Sequence, residues 1–141
     1  MRRLLQRWRE LTALERMLLR RAVAASIVAR IALVVIPWKR LAEGRAPAEE
    51  GAQPALAGTE AVALVRWAVV VSARRVPFQT CLSSALVARD LLARLGVQST
   101  LEVGAYLDEH GAIAFHAVVT SGGVMICGGR PMTVLASIAT S

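Results

Sequence analysis

Aromatic side chains make up only 4% of this sequence, and cysteine appears twice, as Cys81 and Cys127. With so few rings, the core has to be assembled from aliphatic side chains. Two cysteines cannot build a disulfide framework or a multi-cysteine zinc site, so the expectation is a reduced, cytoplasmic protein with no metal and no cofactor. No compact apolar run with a small-residue cleavage site follows Arg2, Arg3, Arg7 and Arg9, so no secretory signal is expected. Acidic residues are also short, 10 against 17 Lys and Arg, for a net charge of +7. That deficit is local: residues 1–45 hold 11 bases against 3 acids, and residues 46–141 hold 6 against 7. Basicity is confined to one segment, and no arrangement of basic and aromatic residues resembles a stacking platform for nucleic acid.

What the chain does have is apolar residues, 55% of 141, against 19% charged. That balance excludes disorder and suits a single folded body. The most apolar stretch, Ala22 to Pro37, is too short to span a bilayer, is interrupted by Arg30, and is bounded by Arg20, Arg21, Lys39 and Arg40. Leu11, Leu14, Leu18, Ala22, Ala25, Ala29, Ala32 and Ile36 step by three or four, which predicts a core helix with a solvated basic side. A weaker reading makes it a membrane-surface or partner-binding helix, with membrane contact not expected.

Three segments follow from these patterns: a basic helical segment over 1–45, a linker or loop over 46–58, and a domain over 59–141. Prolines, glycines and scattered acids erase any apolar period in the linker. Thr59 is placed to cap a helix through about Ala73, with Val62, Val65, Val69 and Ser72 on one face and Trp67 on another. A further helix is predicted from about Cys81 to Leu95, stopped by Gly96. Beyond it the period becomes two: a strand through Leu101, Val103, Ala105 and Leu107, a turn at 108–111, a strand over 113–120, and a turn at Ser121-Gly122-Gly123 into 124–127. The fold class is α+β, helices followed by a small antiparallel sheet.

Two residues carry the chemistry. Cys81 stands where a loop enters a helix, so unsatisfied backbone N–H groups and the positive helix end favour a thiolate there. His116 sits mid-strand, alternating with Phe115, Ala117 and Val119. If its face of the sheet packs on the Cys81 helix, the imidazole can take the thiol proton and return it to a leaving amine. Cys127 reads as apolar filling or as a thiol near the site. His110 reads as a solvated turn residue.

The stretch RVPFQTCLSSALVARDLLARLGVQSTLEVGAYLDEHGAIAFHAVVTSGGV, residues 75–124, resembles the cysteine-protease part of lasso-peptide leader peptidases of the microcin-processing type, in the transglutaminase-like superfamily. The resemblance rests on Pro77, Thr80-Cys81-Leu82, Leu95-Gly96, Leu101 to Gly104, and Phe115-His116-Ala117. It implies a papain-like or transglutaminase-like fold with an N-terminal helical extension. It also implies a hydrolase that removes the leader peptide from a ribosomally made precursor, through an acyl-enzyme on Cys81 with His116 as base and acid. The implied partners are the precursor, a small leader-recognition protein supplied in trans to this stand-alone protease form, and the ATP-dependent macrolactam cyclase.

The family's orienting aspartate is missing. Reflection about Gly122 puts the partner of His116 near position 128, where Cys127 and Gly128 stand. Glu102 is a substitute on the preceding strand, and Asp108, in the turn, reads better as an exposed turn residue. For the oxyanion, the donors available are the Cys81 backbone N–H and the Gln79 side-chain amide, Gln79 being equally well explained as a solvated loop residue. Without the acid, a non-catalytic scaffold binding the recognition protein and cyclase is the alternative.

Overall fold

A computed structural model describes residues 11–43, 58–77, 79–128 and 132–139. These form α1 (Ala13–Val35), α2 (Trp38–Glu43), α3 (Gly58–Ala73), α4 (Cys81–Arg94), β1 (Thr100–Leu107), β2 (Ile113–Ser121), β3 (Val124–Cys127) and β4 (Thr133–Ala139). The expected linker, 46–58, lies outside the described residues except for Gly58, which opens α3.

The helices end where side-chain and backbone chemistry end them. Thr12 caps α1 through a reciprocal box: its hydroxyl accepts from the Glu15 N–H at 3.2 Å and its own N–H donates to the Glu15 carboxylate at 2.6 Å. That bond to Thr12 holds the Glu15 carboxyl below its ordinary range. Helix α4 closes in a Schellman turn: the Gly96 N–H donates to Ala93 and the Val97 N–H to Leu92, with Gly96 at φ +70°. Helix α3 begins at Gly58, so Thr59 lies in its first turn rather than at its cap.

Helices α1, α3 and α4 pack together and lay one side of the sheet against themselves. Leu18 and Ala22 of α1, Val62, Val65 and Val69 of α3, Leu91 and Leu92 of α4, and Leu101, Ala117 and Val119 of the sheet form one aliphatic core. On α3 the buried residues are those of the expected face, Val62, Val65, Val69 and Ser72, joined by Ala61 and Ala68. Helix α1 follows its expected stripe only in part. Leu18, Leu19, Ala22 and Ser26 are buried, but Ile27, Val28, Ile31, Val34 and Val35 are exposed. The reason is length: 23 residues at 1.5 Å each make a rod of about 35 Å, longer than the roughly 24 Å of α3, so its last turns run past their neighbours. Among the described residues no helix is long and apolar enough to cross a membrane.

The sheet order is β3-β2-β1-β4, all antiparallel. A three-strand meander was predicted, and β4 adds a fourth strand on the far side of β1. Its side chains are exposed or half-buried along the whole strand, so Thr133–Ala139 carries little of the alternation that marks a half-buried strand in sequence. The β1–β2 turn is organised by Asp108, whose carboxylate accepts from the N–H groups of His110 (2.8 Å) and Ala112 (2.9 Å). Gly122 and Gly123, at φ +55° and +78°, make the tight β2–β3 hairpin.

The core assignment has a direct test. Leu91→Ala removes a fully buried side chain and is expected to lower unfolding free energy by about 3 kcal/mol, whereas Ile31→Ala on the protruding end of α1 changes it by less than about 0.5 kcal/mol. Chemical denaturation of the two variants checks both values, and equal losses would show that α1 is buried along its whole length.

Candidate active site

Cys81 is the first residue of α4, and the turn before it is held by side chains. The Thr80 hydroxyl accepts from the Ser83 N–H at 3.2 Å, while the buried Ser83 hydroxyl accepts from the Thr80 N–H at 2.9 Å and donates to the Thr80 carbonyl at 2.9 Å. This box satisfies the third N–H of the helix and leaves those of Cys81 and Leu82 without a partner among the described residues. The loop ahead of it is tied to α1: Gln79 donates from Nε2 to the Ser26 hydroxyl at 3.1 Å, and Ser26 donates on to the Ala22 carbonyl at 2.7 Å. Gln79 is therefore half-buried rather than solvated, and its Oε1 is buried with no partner.

The Cys81 thiol donates to the carbonyl oxygen of Phe115, 3.9 Å away, near the start of β2. That carbonyl is the residue boundary before His116, so standard peptide dimensions put the His116 Cα within about 7 Å of Sγ. The two expected catalytic residues are thus brought to the same place in the fold, but the geometry corrects one expectation. The face of β2 that meets the helices carries Ala117 and Val119. His116 alternates to the opposite face, with its β1 partner Gly104 and with Val118. No hydrogen bond joins the imidazole to the thiol. Instead Tyr106, diagonal to it on the same face, meets it edge-on with centroids 6.1 Å apart and planes at 84°, and the buried Nε2 has no hydrogen-bond partner among the described residues.

Glu102 occupies the other diagonal position on the His116 face, opposite Val118. No hydrogen bond joins its carboxylate to the imidazole. Asp108, as expected, serves the turn. The position opposite His116 on the β3 side also shifts. The register runs Ser121↔Val124 and Thr120↔Met125, then a bulge moves Val119 opposite Cys127. Gly128 therefore lies beside Val118 rather than His116, and positions 129–131 lie outside the described residues. Gly128 itself has φ +92°, and a Cβ built on it would lie 2.6 Å from the Val118 side chain. A carboxylate cannot stand there unless Val118 moves.

Cys127 pairs with Val119, and its side chain packs against the core on the helix side of the sheet. Burial pushes its thiol up to about 11, partly opposed by a hydrogen bond with the Val119 backbone, with a smaller upward push from Cys81. Cys127 is thus both packing and a thiol near the site. The Ser26–Gln79 tie and the Tyr106 contact escaped the sequence reading, because each joins residues whose proximity only the tertiary fold creates. An apolar groove of about 660 Å³ between Val62, Trp67 and Val70 of α3 and Val97 and Val124 includes neither Cys81 nor His116. It includes Val97, beyond the end of α4 opposite Cys81.

Two outcomes follow from this geometry. At pH 8 iodoacetamide is expected to modify half-exposed Cys81 well before Cys127, and Cys127 labelling to rise about tenfold per pH unit up to its own range, as read by peptide mass mapping. Because an unfolded thiol loses its proton near 9 and the folded Cys127 near 11, its contribution to stability is complete below pH 9 and falls as pH rises through that window. Gly128→Ala is expected to cost about 2 kcal/mol, with Val118→Ala in the same chain giving back part of that loss. Strictly additive losses in denaturant melts would show that the two residues do not touch.

A family model described as the transglutaminase-like superfamily matches residues 23–140, from within α1 through β4. Searches of curated proteins and of solved structures returned no match. The fold described above, helices followed by a small four-stranded antiparallel sheet, is consistent with the α+β fold of the matched family. This chain belongs to the transglutaminase-like superfamily.

Proposed function

We propose that the protein is a cysteine peptidase of the leader-removing kind, acting on a ribosomally made lasso-peptide precursor with a small recognition protein bound in trans. The observation that carries this reading is the seating of the Cys81 thiol at the opening of α4, against the carbonyl that precedes His116. Superfamily membership, which includes cysteine peptidases, supports the reaction class. The sequence resemblance over residues 75–124 supports the substrate.

In this reading Sγ attacks the carbonyl carbon at the leader–core junction. A C–S bond forms, and the thiol proton passes to His116 and then to the amine of the core peptide, which leaves as the C–N bond breaks. Water, deprotonated by His116, hydrolyses the thioester and frees the leader as a carboxylate. The unpartnered N–H of Cys81 is the natural donor to the tetrahedral oxyanion. Gln79 adds a donor only through the Nε2 hydrogen that does not go to Ser26. For the proton transfer the imidazole turns from the Tyr106 side toward the thiol. Among the described residues that rotation breaks no hydrogen bond at Nε2. The released core amine is then free for the macrolactam cyclase.

One observation favours a second reading, a scaffold that holds the precursor, recognition protein and cyclase without cutting. The imidazole has no carboxylate partner among the described residues, and such a partner ordinarily fixes the tautomer and stabilises the imidazolium at a cost of about 10⁴ in rate when lost. Precursor incubated with this protein and the recognition protein, followed by mass spectrometry, separates the two. The peptidase reading expects cleavage that disappears in Cys81→Ala and falls about 10³-fold or more in His116→Ala. Precursor bound but intact with the wild-type chain favours the scaffold.

A further inference from the structure

The last turns of α1 place five large aliphatic side chains in solvent on one continuous face. Val34 is 86% exposed, Val35 78%, and Ile31 and Val28 64% each, with Ile27 at 49% beside them. At 100° per residue these five span about 120° of the helix surface, so they make a single patch rather than scattered exposures. The charge around the patch is mostly positive, with Glu15 and Glu43 at its two limits in sequence. Between Arg16 and Ala42 the sequence holds six cations, Arg16, Arg20, Arg21, Arg30, Lys39 and Arg40, and no acid. Lys39 and Arg40 are exposed on α2, immediately beyond Pro37, where they collar the apolar end of α1.

We propose that this protruding end of α1, with its collar on α2, docks on an anionic lipid bilayer. Aliphatic side chains entering the acyl boundary while Lys and Arg meet acidic headgroups is the arrangement that interfacial helices use. A second copy of the chain fits poorly, since two collars of the same sign would face each other. A protein partner fits less well than lipid, since the patch has neither the aromatic anchors nor the pocket typical of energetic protein contacts. The helix does not cross the bilayer: it is too short in apolar residues for that, and Leu18, Leu19, Ala22 and Ser26 anchor it in the protein core. The inference is independent of the peptidase reading and holds for a scaffold equally.

The test is flotation of the full chain with vesicles of phosphatidylcholine alone and of phosphatidylcholine with 30% phosphatidylglycerol, a probe composition set at roughly the anionic content that gives a strong surface potential. Binding at least about tenfold tighter to the anionic vesicles, and weakened by added salt, is expected. Val34→Asp with Val35→Asp, both at exposed positions, should leave the circular dichroism and thermal midpoint unchanged while abolishing flotation. Lys39→Gln with Arg40→Gln, on a different helix, should weaken anionic binding by about 25-fold, roughly fivefold per charge, and provides the second variant if the first fails to fold. No binding to anionic vesicles overturns the proposal. So does binding that the Val34 and Val35 substitutions leave intact in a folded chain. Self-association that those substitutions abolish, without lipid binding, overturns it in favour of a dimer face.

Discussion

Everything reactive in this fold depends on how α4 begins. A helix cannot satisfy its own first N–H groups, and here Thr80 and Ser83 answer each other across the opening turn while Cys81 and Leu82 are left with donors to spare. The same turn is fixed from outside by the chain from Ala22 through Ser26 to Gln79, so α1 helps to set where the α4 entrance stands. The rest of α4, buried through Ala85, Ala88, Leu91 and Leu92, then has one way to lie on the sheet. That orientation delivers the thiol to the backbone of β2 at Phe115. Hydrogen bonds position the reactive end, and aliphatic burial supplies the stability that keeps it there.

Small residues let this happen with so few aromatics. Ala22, Ala61, Ala68, Ala85, Ala88 and Ala117 are all buried, and they allow helices and sheet to approach closely around Leu and Val side chains. The scarcity of rings in the sequence thus reappears as a tightly layered aliphatic core, with Trp38 and Trp67 only partly buried at its margin. Gly104 plays a related part in the sheet. A side chain there would collide with the backbone oxygen of Thr133 and with Met132, so the residue opposite His116 on β1 has to be glycine for β4 to close against it.

Much of this was legible from local chemistry. The faces of α3, the limits of α4, the role of Asp108 and the β2–β3 hairpin all follow from period, caps and turn residues, which act over a few positions. Cys81 and His116 could be singled out because a helix entrance and a strand centre are also local facts. What could not be read is where two elements stand relative to each other. Periodicity says that α1 has an apolar stripe but not that the helix outruns its partners. Alternation separates the two faces of β2, yet Ala117 with Val119 and His116 with Val118 are both apolar enough to pack inward, so the sequence offers no rule for choosing. A single bulge between Val119 and Thr120 then moves the register, and with it any inference about which residue lies opposite the histidine.

The region around that histidine is where packing has taken the place of charge. Gly128 lies against Val118 in a backbone conformation that side chains avoid, and its Cβ direction is filled by an aliphatic group. The imidazole beside Val118 is half-buried, meets Tyr106 edge-on, and has at its buried Nε2 no acceptor or donor among the described residues. A ring so placed is oriented by shape alone, which fixes its plane but not which nitrogen carries the proton. A carboxylate would fix both. Among the described residues, a ring without a hydrogen-bonded partner has to turn from the Tyr106 side before it can face the Cys81 thiol, and what holds it where it stands is packing rather than charge.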